Sequence, residues 1–125
     1  MKGISDRYMK ISTIKELLNA NVLCGEDLLE TQVYSACGSD MMSDVLAFVK
    51  DQAVLLTGLV NPQVVRTAEM MDIRCIVFVR GKVPDSMIVS LAKESDIVVL
   101  TTAERMFPAC GKLYENGLDG TKTLN

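Results

Sequence analysis

Ala53-Val54-Leu55-Leu56-Thr57-Gly58-Leu59-Val60-Asn61-Pro62-Gln63-Val64-Val65-Arg66-Thr67-Ala68 is the stretch whose reading decides the fold. Its first half is continuously apolar, as suits a strand buried on both faces of a parallel sheet. Asn61-Pro62 then supplies an N-cap followed by a proline at the first helical position, where a missing N–H costs nothing. Val64, Ala68 and Met71 fall on one helical face. The stretch therefore reads as strand, turn, helix.

The same unit recurs on either side. Short apolar runs begin at Thr31, Ala53, Cys75 and Ile97, each 22 residues after the last, giving expected strands over 31–36, 53–57, 75–79 and 97–100. Helical stripes follow each run. Met42, Val45, Leu46 and Val49 form the first, and Met87 or Ile88 joins Leu91 and Ala92 in the third. Phe107, Cys110 and Tyr114 form the fourth, flanked by Met106 and Leu113. Ser39 and Asp40 are suited to start the first helix. Pro84 with Asp85 is expected to start the third as Asn61-Pro62 starts the second. The units share shape rather than sequence, so the period is geometric and not that of a solenoid. Four consecutive βα units imply right-handed crossovers and a three-layer α/β/α fold around a mainly parallel sheet.

The ends of the chain complete the outline. Thr13-Ile14-Lys15-Glu16 has the form of a capping box, with Ile14, Leu17 and Leu18 giving a short helix its apolar face. Val22-Leu23-Cys24 is a brief extended piece and Gly25-Glu26-Asp27 a turn. Gly117 is placed to end the last helix, and 119–125 reads as a polar tail. The expected organisation is one domain over 1–125, with an accessory helix and strand in 10–30 and a βα core in 31–118.

Composition narrows the function. Charged residues are 23% and net charge is −3, with no cluster of Lys and Arg, so nucleic acid and anionic membrane are poor partners. No apolar run approaches the ~18 residues of a spanning helix. Met1-Lys2-Gly3-Ile4-Ser5-Asp6-Arg7 lacks a signal peptide's apolar centre, and a cytoplasmic protein is expected. Cys24, Cys37, Cys75 and Cys110 have no CxxC spacing and the chain has no histidine, so no metal and no cofactor is expected. Cys75 and Cys110 read as small core residues. Cys37 precedes a helix start, where a thiol pKa can be lowered, although an inert strand-end thiol is the simpler reading.

Catalysis finds little support. Arg80-Gly81-Lys82 lacks the GxxxxG spacing of a P-loop, no GxGxxG follows any strand, and the commonest general base is missing. No catalytic residue is singled out. Binding is favoured instead, because open parallel sheets take ligands outside the carboxyl ends of their strands. That rim collects Gly38, Ser39, Asp40, Thr57, Gly58, Asn61, Arg80, Gly81, Thr101 and Thr102. Small residues admit a ligand to the backbone, hydroxyls give directional hydrogen bonds, and Arg80 offers a fork for phosphate or carboxylate. Capping alone accounts for many of these residue types at helix starts, but not for Arg80 or the threonine pair.

Several of these residues also carry a family likeness. Gly38-Ser39-Asp40-Met41-Met42-Ser43-Asp44-Val45-Leu46-Ala47-Phe48 and Leu56-Thr57-Gly58-Leu59-Val60-Asn61-Pro62-Gln63-Val64-Val65-Arg66-Thr67-Ala68 resemble the stand-alone DRTGG-domain proteins of anaerobic bacteria and archaea. Ile76-Val77-Phe78-Val79-Arg80-Gly81-Lys82 and Cys110-Gly111-Lys112-Leu113-Tyr114-Glu115 extend the likeness, although the five letters behind the name do not occur here. The resemblance implies a fold like the N-terminal domain of HPr kinase/phosphorylase. It also implies a role in regulation or assembly, since similar domains are attached to CBS-domain inorganic pyrophosphatases and long phosphate acetyltransferases. It implies no catalytic residues.

Two readings follow. One is a regulatory module that senses a small anionic metabolite or nucleotide at the rim. The other is a docking or assembly module, with a metabolic enzyme as its expected partner, whose turns only cap helices. The adjacent pairs Met41-Met42 and Met70-Met71 add apolar surface suited to a homodimer, unless one member of each faces the sheet and the other a neighbouring helix.

Overall fold

The computed structural model describes residues 8–48 and 52–118. Its centre is a five-stranded sheet of β2 (Asn21–Cys24), β4 (Ser35–Gly38), β5 (Ala53–Thr57), β6 (Cys75–Phe78) and β7 (Val98–Thr101). The spatial order is β2-β7-β6-β5-β4. The four βα strands are mutually parallel, and β2 alone runs antiparallel, beside β7. A separate antiparallel ribbon pairs β1 (Met9–Lys10) with β3 (Gln32–Val33).

Alternation of side chains along the strands makes two cores. Val54, Leu56, Val77 and Leu100 face α1 (Ile11–Leu17) and α5 (Met106–Glu115), through Ile11, Ile14, Ala109 and Leu113. Leu55, Ile76, Phe78 and Val99 face α2 (Met42–Phe48), α3 (Pro62–Met70) and α4 (Ser86–Glu94), through Val45, Val64, Ala68, Ile88 and Ala92. Each fully buried Ile, Leu or Phe contributes about 1.5–3 kcal/mol of apolar transfer. The expected three layers are present, and their composition has a cause. The strand order steps one way from β4 to β7, so crossovers of one hand put α2, α3 and α4 on one face. The next position beyond β7 is taken by β2, and α5 lies on the opposite face with α1.

Several local expectations are corrected. The first sheet strand is not 31–36. Val33 turns into the ribbon opposite Met9, and the sheet strand starts at Ser35. Strand starts are therefore spaced by 18, 22 and 23 residues rather than a constant 22. Thr13 caps nothing, because α1 begins at Ile11 with no side-chain cap. The carbonyls of Thr31 and Leu29 instead accept from the N–H groups of Ile11 (3.0 Å) and Ser12 (2.8 Å), the first two donors of the helix, and Thr13 lies inside it.

Asn61 caps α3 as expected, accepting from the Gln63 N–H at 2.9 Å. Pro84 does not open α4. It precedes the cap, which is Asp85, accepting from Ile88 N–H at 3.0 Å. In α4 it is Ile88, not Met87, that is buried, and in α2 Leu46 is exposed. The α5 stripe is rotated: Phe107 is 88% and Tyr114 66% exposed, while Ala109 and Leu113 are buried with Met106 and Cys110 packed beside them. Each methionine pair sends one member out (Met41, Met70) and one partly in (Met42, Met71).

Gly117 closes α5 with φ of 106°, and Leu118 N–H returns to Leu113 C=O at 3.0 Å. Among the described residues no helix is long and apolar enough to cross a membrane. The readings of Met1–Arg7, Val49 and 119–125 fall outside the described residues.

Candidate functional site

Because β4 to β7 are parallel, the turns that follow them share one rim. Asp40, in the turn after β4, reaches across to the turn after β5. Its Oδ1 accepts from the Gly58 N–H at 2.7 Å and from the Thr57 hydroxyl at 3.1 Å. Thr57 Oγ1 in turn accepts from the Leu59 N–H at 3.1 Å. This corrects the expected role of Asp40: it ties two turns together and does not cap α2. Ser39 remains local, its hydroxyl accepting from the Met41 N–H at 2.9 Å.

Arg80 joins this group from the turn after β6. A guanidinium nitrogen lies 3.7 Å from Asp40 Oδ2, with the two side chains 41% and 46% exposed. A Cβ on Gly58 would come within 2.1 Å of that guanidinium, so only glycine leaves room for it there. The backbone of Arg80 is left-handed, at φ of 61°, followed by Gly81 at 70°. Two hydrogen bonds hold this unusual turn to the one after β7: Arg80 N–H to Glu104 C=O and Gly81 N–H to Thr102 C=O, both 2.8 Å.

The remaining residues of the expected site act differently. The Thr101 hydroxyl donates to Lys82 C=O and the Thr102 hydroxyl to Leu18 C=O, each at 2.6 Å. Both threonines are buried. Thr102 Oγ1 also accepts from Glu104 N–H at 3.2 Å, and Glu104 pairs with Lys112 of α5. Gly38 lies against α5, where a Cβ would meet Cys110 Sγ at 2.6 Å. Asn61 is occupied as a cap. The structure thus gathers Asp40, Thr57, Gly58 and Arg80 into one contact group, with Ser39 beside it, and sets Thr101 and Thr102 behind the rim as structural ties.

Burial pushes all four thiols above their ordinary range, Cys75 most strongly because it is fully enclosed. For Cys37 the neighbouring Cys110 and Asp44 add to that rise, so the thiolate form is disfavoured rather than promoted. Among the described residues no group of three His, Cys, Asp or Glu side chains could hold a metal ion.

The rim is a row of turns rather than a deep crevice. Such crevices form where strand order reverses, and the parallel strands here do not reverse. An open groove of about 750 Å³ lies elsewhere, between α4 and the turn after β2. Its walls include Leu23, Glu26, Pro84, Val89 and Lys93. No sequence motif marks it, since those walls come from opposite ends of the βα series. The exposed Phe107–Tyr114 face was visible as a stripe, but periodicity alone gives it no direction.

The family comparison matches residues 13–114 to the DRTGG domain. No curated protein matches. Among solved structures the chain is similar to the CBS and DRTGG domains of the regulatory region of Clostridium perfringens pyrophosphatase, crystallised with its activator diadenosine tetraphosphate. The TM-score is 0.68 at 16% identity, over 87% of this chain and 47% of that one. This chain therefore spans about half the length of that structure, and the likeness is one of fold. With the family match extending from α1 almost to the end of α5, the chain belongs to the DRTGG domain family.

Proposed function

We propose that this domain is a non-catalytic regulatory module that senses a small anionic ligand, a nucleotide or phosphorylated metabolite, at the carboxyl rim of the sheet. One observation carries the reading: the half-exposed Arg80 guanidinium lies over Gly58, beside a backbone N–H and the Thr57 hydroxyl. An arginine fork next to a backbone amide that already holds a carboxylate oxygen suits a phosphoryl group. The chain has no histidine, the commonest general base, which supports a binding role over a catalytic one. The family's presence beside CBS domains in a pyrophosphatase regulatory region supports a nucleotide as ligand and an enzyme as partner. We assign the rim to the core 31–118 of a single cytoplasmic domain, with 10–30 as its arm and 119–125 as a tail.

A thermal-shift series with nucleotides, phosphorylated metabolites and acyl phosphates tests this. A ligand at 100 times its Kd stabilises by about 2.7 kcal/mol, a readily measured rise in midpoint. Arg80→Ala should abolish the rise. If no compound shifts the midpoint, and Ser39→Ala, Asp40→Ala and Arg80→Ala behave as ordinary surface changes, the sensing role is refuted.

That outcome would favour a docking or assembly module. The exposed Phe107 and Tyr114 on α5, with Tyr114 close to the edge strand β4, speak for this second reading and for a homodimer. Light scattering after size exclusion tests the dimer. A monomer at high concentration, unchanged by Phe107→Ser, would refute it.

A further inference from the structure

We propose that Asp40 is a built-in stand-in for the anionic group of the ligand, and that a phosphate-bearing molecule acts by displacing it from Gly58 and Arg80. The inference rests on the rim being an anion site and adds how that site is regulated. A carboxylate oxygen of Asp40 already takes the donors a phosphoryl oxygen would seek, the Gly58 N–H at 2.7 Å and the Thr57 hydroxyl at 3.1 Å. The second oxygen stops 3.7 Å from the guanidinium, beyond hydrogen-bonding distance.

A purely structural tie between loops would be expected to be enclosed and closed up into a bidentate pair. Here both partners remain about half exposed, where an ion pair contributes little and is readily exchanged. A phosphoryl group brings more charge and more acceptor oxygens than the carboxylate it replaces. Asp40 also sits on the short connection to α2, in which Val45 is fully buried. Release of Asp40 therefore frees the N-terminal end of α2 while Val45 keeps the helix docked. Ligand binding becomes a loosening of that turn.

The stand-in lowers apparent affinity by the fraction of molecules in which it is engaged. Inorganic pyrophosphate, titrated at constant ionic strength and followed at the Gly58 amide resonance, is the test. An Asp40 engaged in about nine molecules of ten predicts roughly tenfold tighter binding by Asp40→Ala, with Asp40→Asn between it and wild type. Arg80→Ala should bind least. If Asp40→Ala loses its fold, the isosteric Asp40→Asn decides alone, again by binding tighter than wild type.

Equal or weaker binding by these variants, with the wild type binding, overturns the stand-in and leaves the anion site standing. A Gly58 resonance that moves in no folded variant overturns both. In the wild type, pyrophosphate should also speed amide exchange at the start of α2, and in Asp40→Ala it should not. Unchanged exchange on saturation of the wild type would overturn the displacement.

Discussion

Thr57 on one half of the rim and Thr101 and Thr102 on the other are the same residue type at the ends of parallel strands, yet they are used in opposite ways. Thr57 faces a side chain that can leave: its hydroxyl donates to the half-exposed Asp40, which the exposed Arg80 approaches but does not grip. All three threonines are buried, but Thr101 and Thr102 donate to backbone carbonyls that belong to other elements, Lys82 and Leu18. One half is exchangeable, the other locked. The locked half holds the β6 turn in its left-handed shape, through Gly81 N–H on Thr102 C=O and Arg80 N–H on Glu104 C=O, and so keeps Arg80 in place over Gly58.

Substitutions should separate the two halves. Thr102→Val removes the donor to the Leu18 carbonyl and the acceptor for Glu104 N–H in a buried site. The expected loss is about 2–3 kcal/mol in urea unfolding, and a loss below about 0.5 kcal/mol would break the contrast. Thr101→Val loses a single hydrogen bond in a buried but peripheral site, and about 1–2 kcal/mol is expected by the same measurement. Asp40→Ala should cost less than about 1 kcal/mol, because removing this half-exposed carboxylate opens the buried Thr57 hydroxyl and Gly58 N–H beneath it to water; a larger loss would move it to the locked class.

Gly58→Ala sharpens the comparison most, though it should move stability least. The group it meets is the far end of a flexible arginine, which can swing away. Stability within about 0.5 kcal/mol of wild type is therefore expected, with a small gain from reduced freedom of the unfolded chain. The arginine would no longer lie over the turn, so any thermal shift by phosphate compounds should vanish. A retained shift would show that the guanidinium's position is irrelevant.

Much of the architecture was legible because it depends on patterns that local physics fixes. The apolar runs at 53–57, 75–79 and 97–100 have no stable place except inside a covered sheet, and Asn61-Pro62 can hardly be anything but a helix start. What was misread depends on partners far away in sequence. The 31–36 run divides because Val33 finds Met9, and Thr13 is not a cap because Thr31 and Leu29 supply carbonyls to the start of α1. The face of α5 is set by α1 lying beside it, which no spacing within α5 records. At the rim, the parallel direction of the strands let sequence bring the turns after β4, β5 and β6 to one side. It could not say that the Thr101 and Thr102 hydroxyls are already occupied, because their acceptors lie 19 and 84 positions away.

The antiparallel β2 has a kinetic corollary. Neighbouring parallel strands close loops of roughly twenty residues, whereas β2 meeting β7 before the sheet exists would close one of about eighty, which two doublings of length make dearer by about 1.2 kcal/mol of chain entropy. The arm should thus be the last piece to dock during refolding, arriving on a sheet whose four parallel members already stand in register. Pulse-labelled exchange would reveal late protection of the Asn21–Cys24 amides after those of Cys75–Phe78, and the reverse order would show that the arm instead templates the sheet.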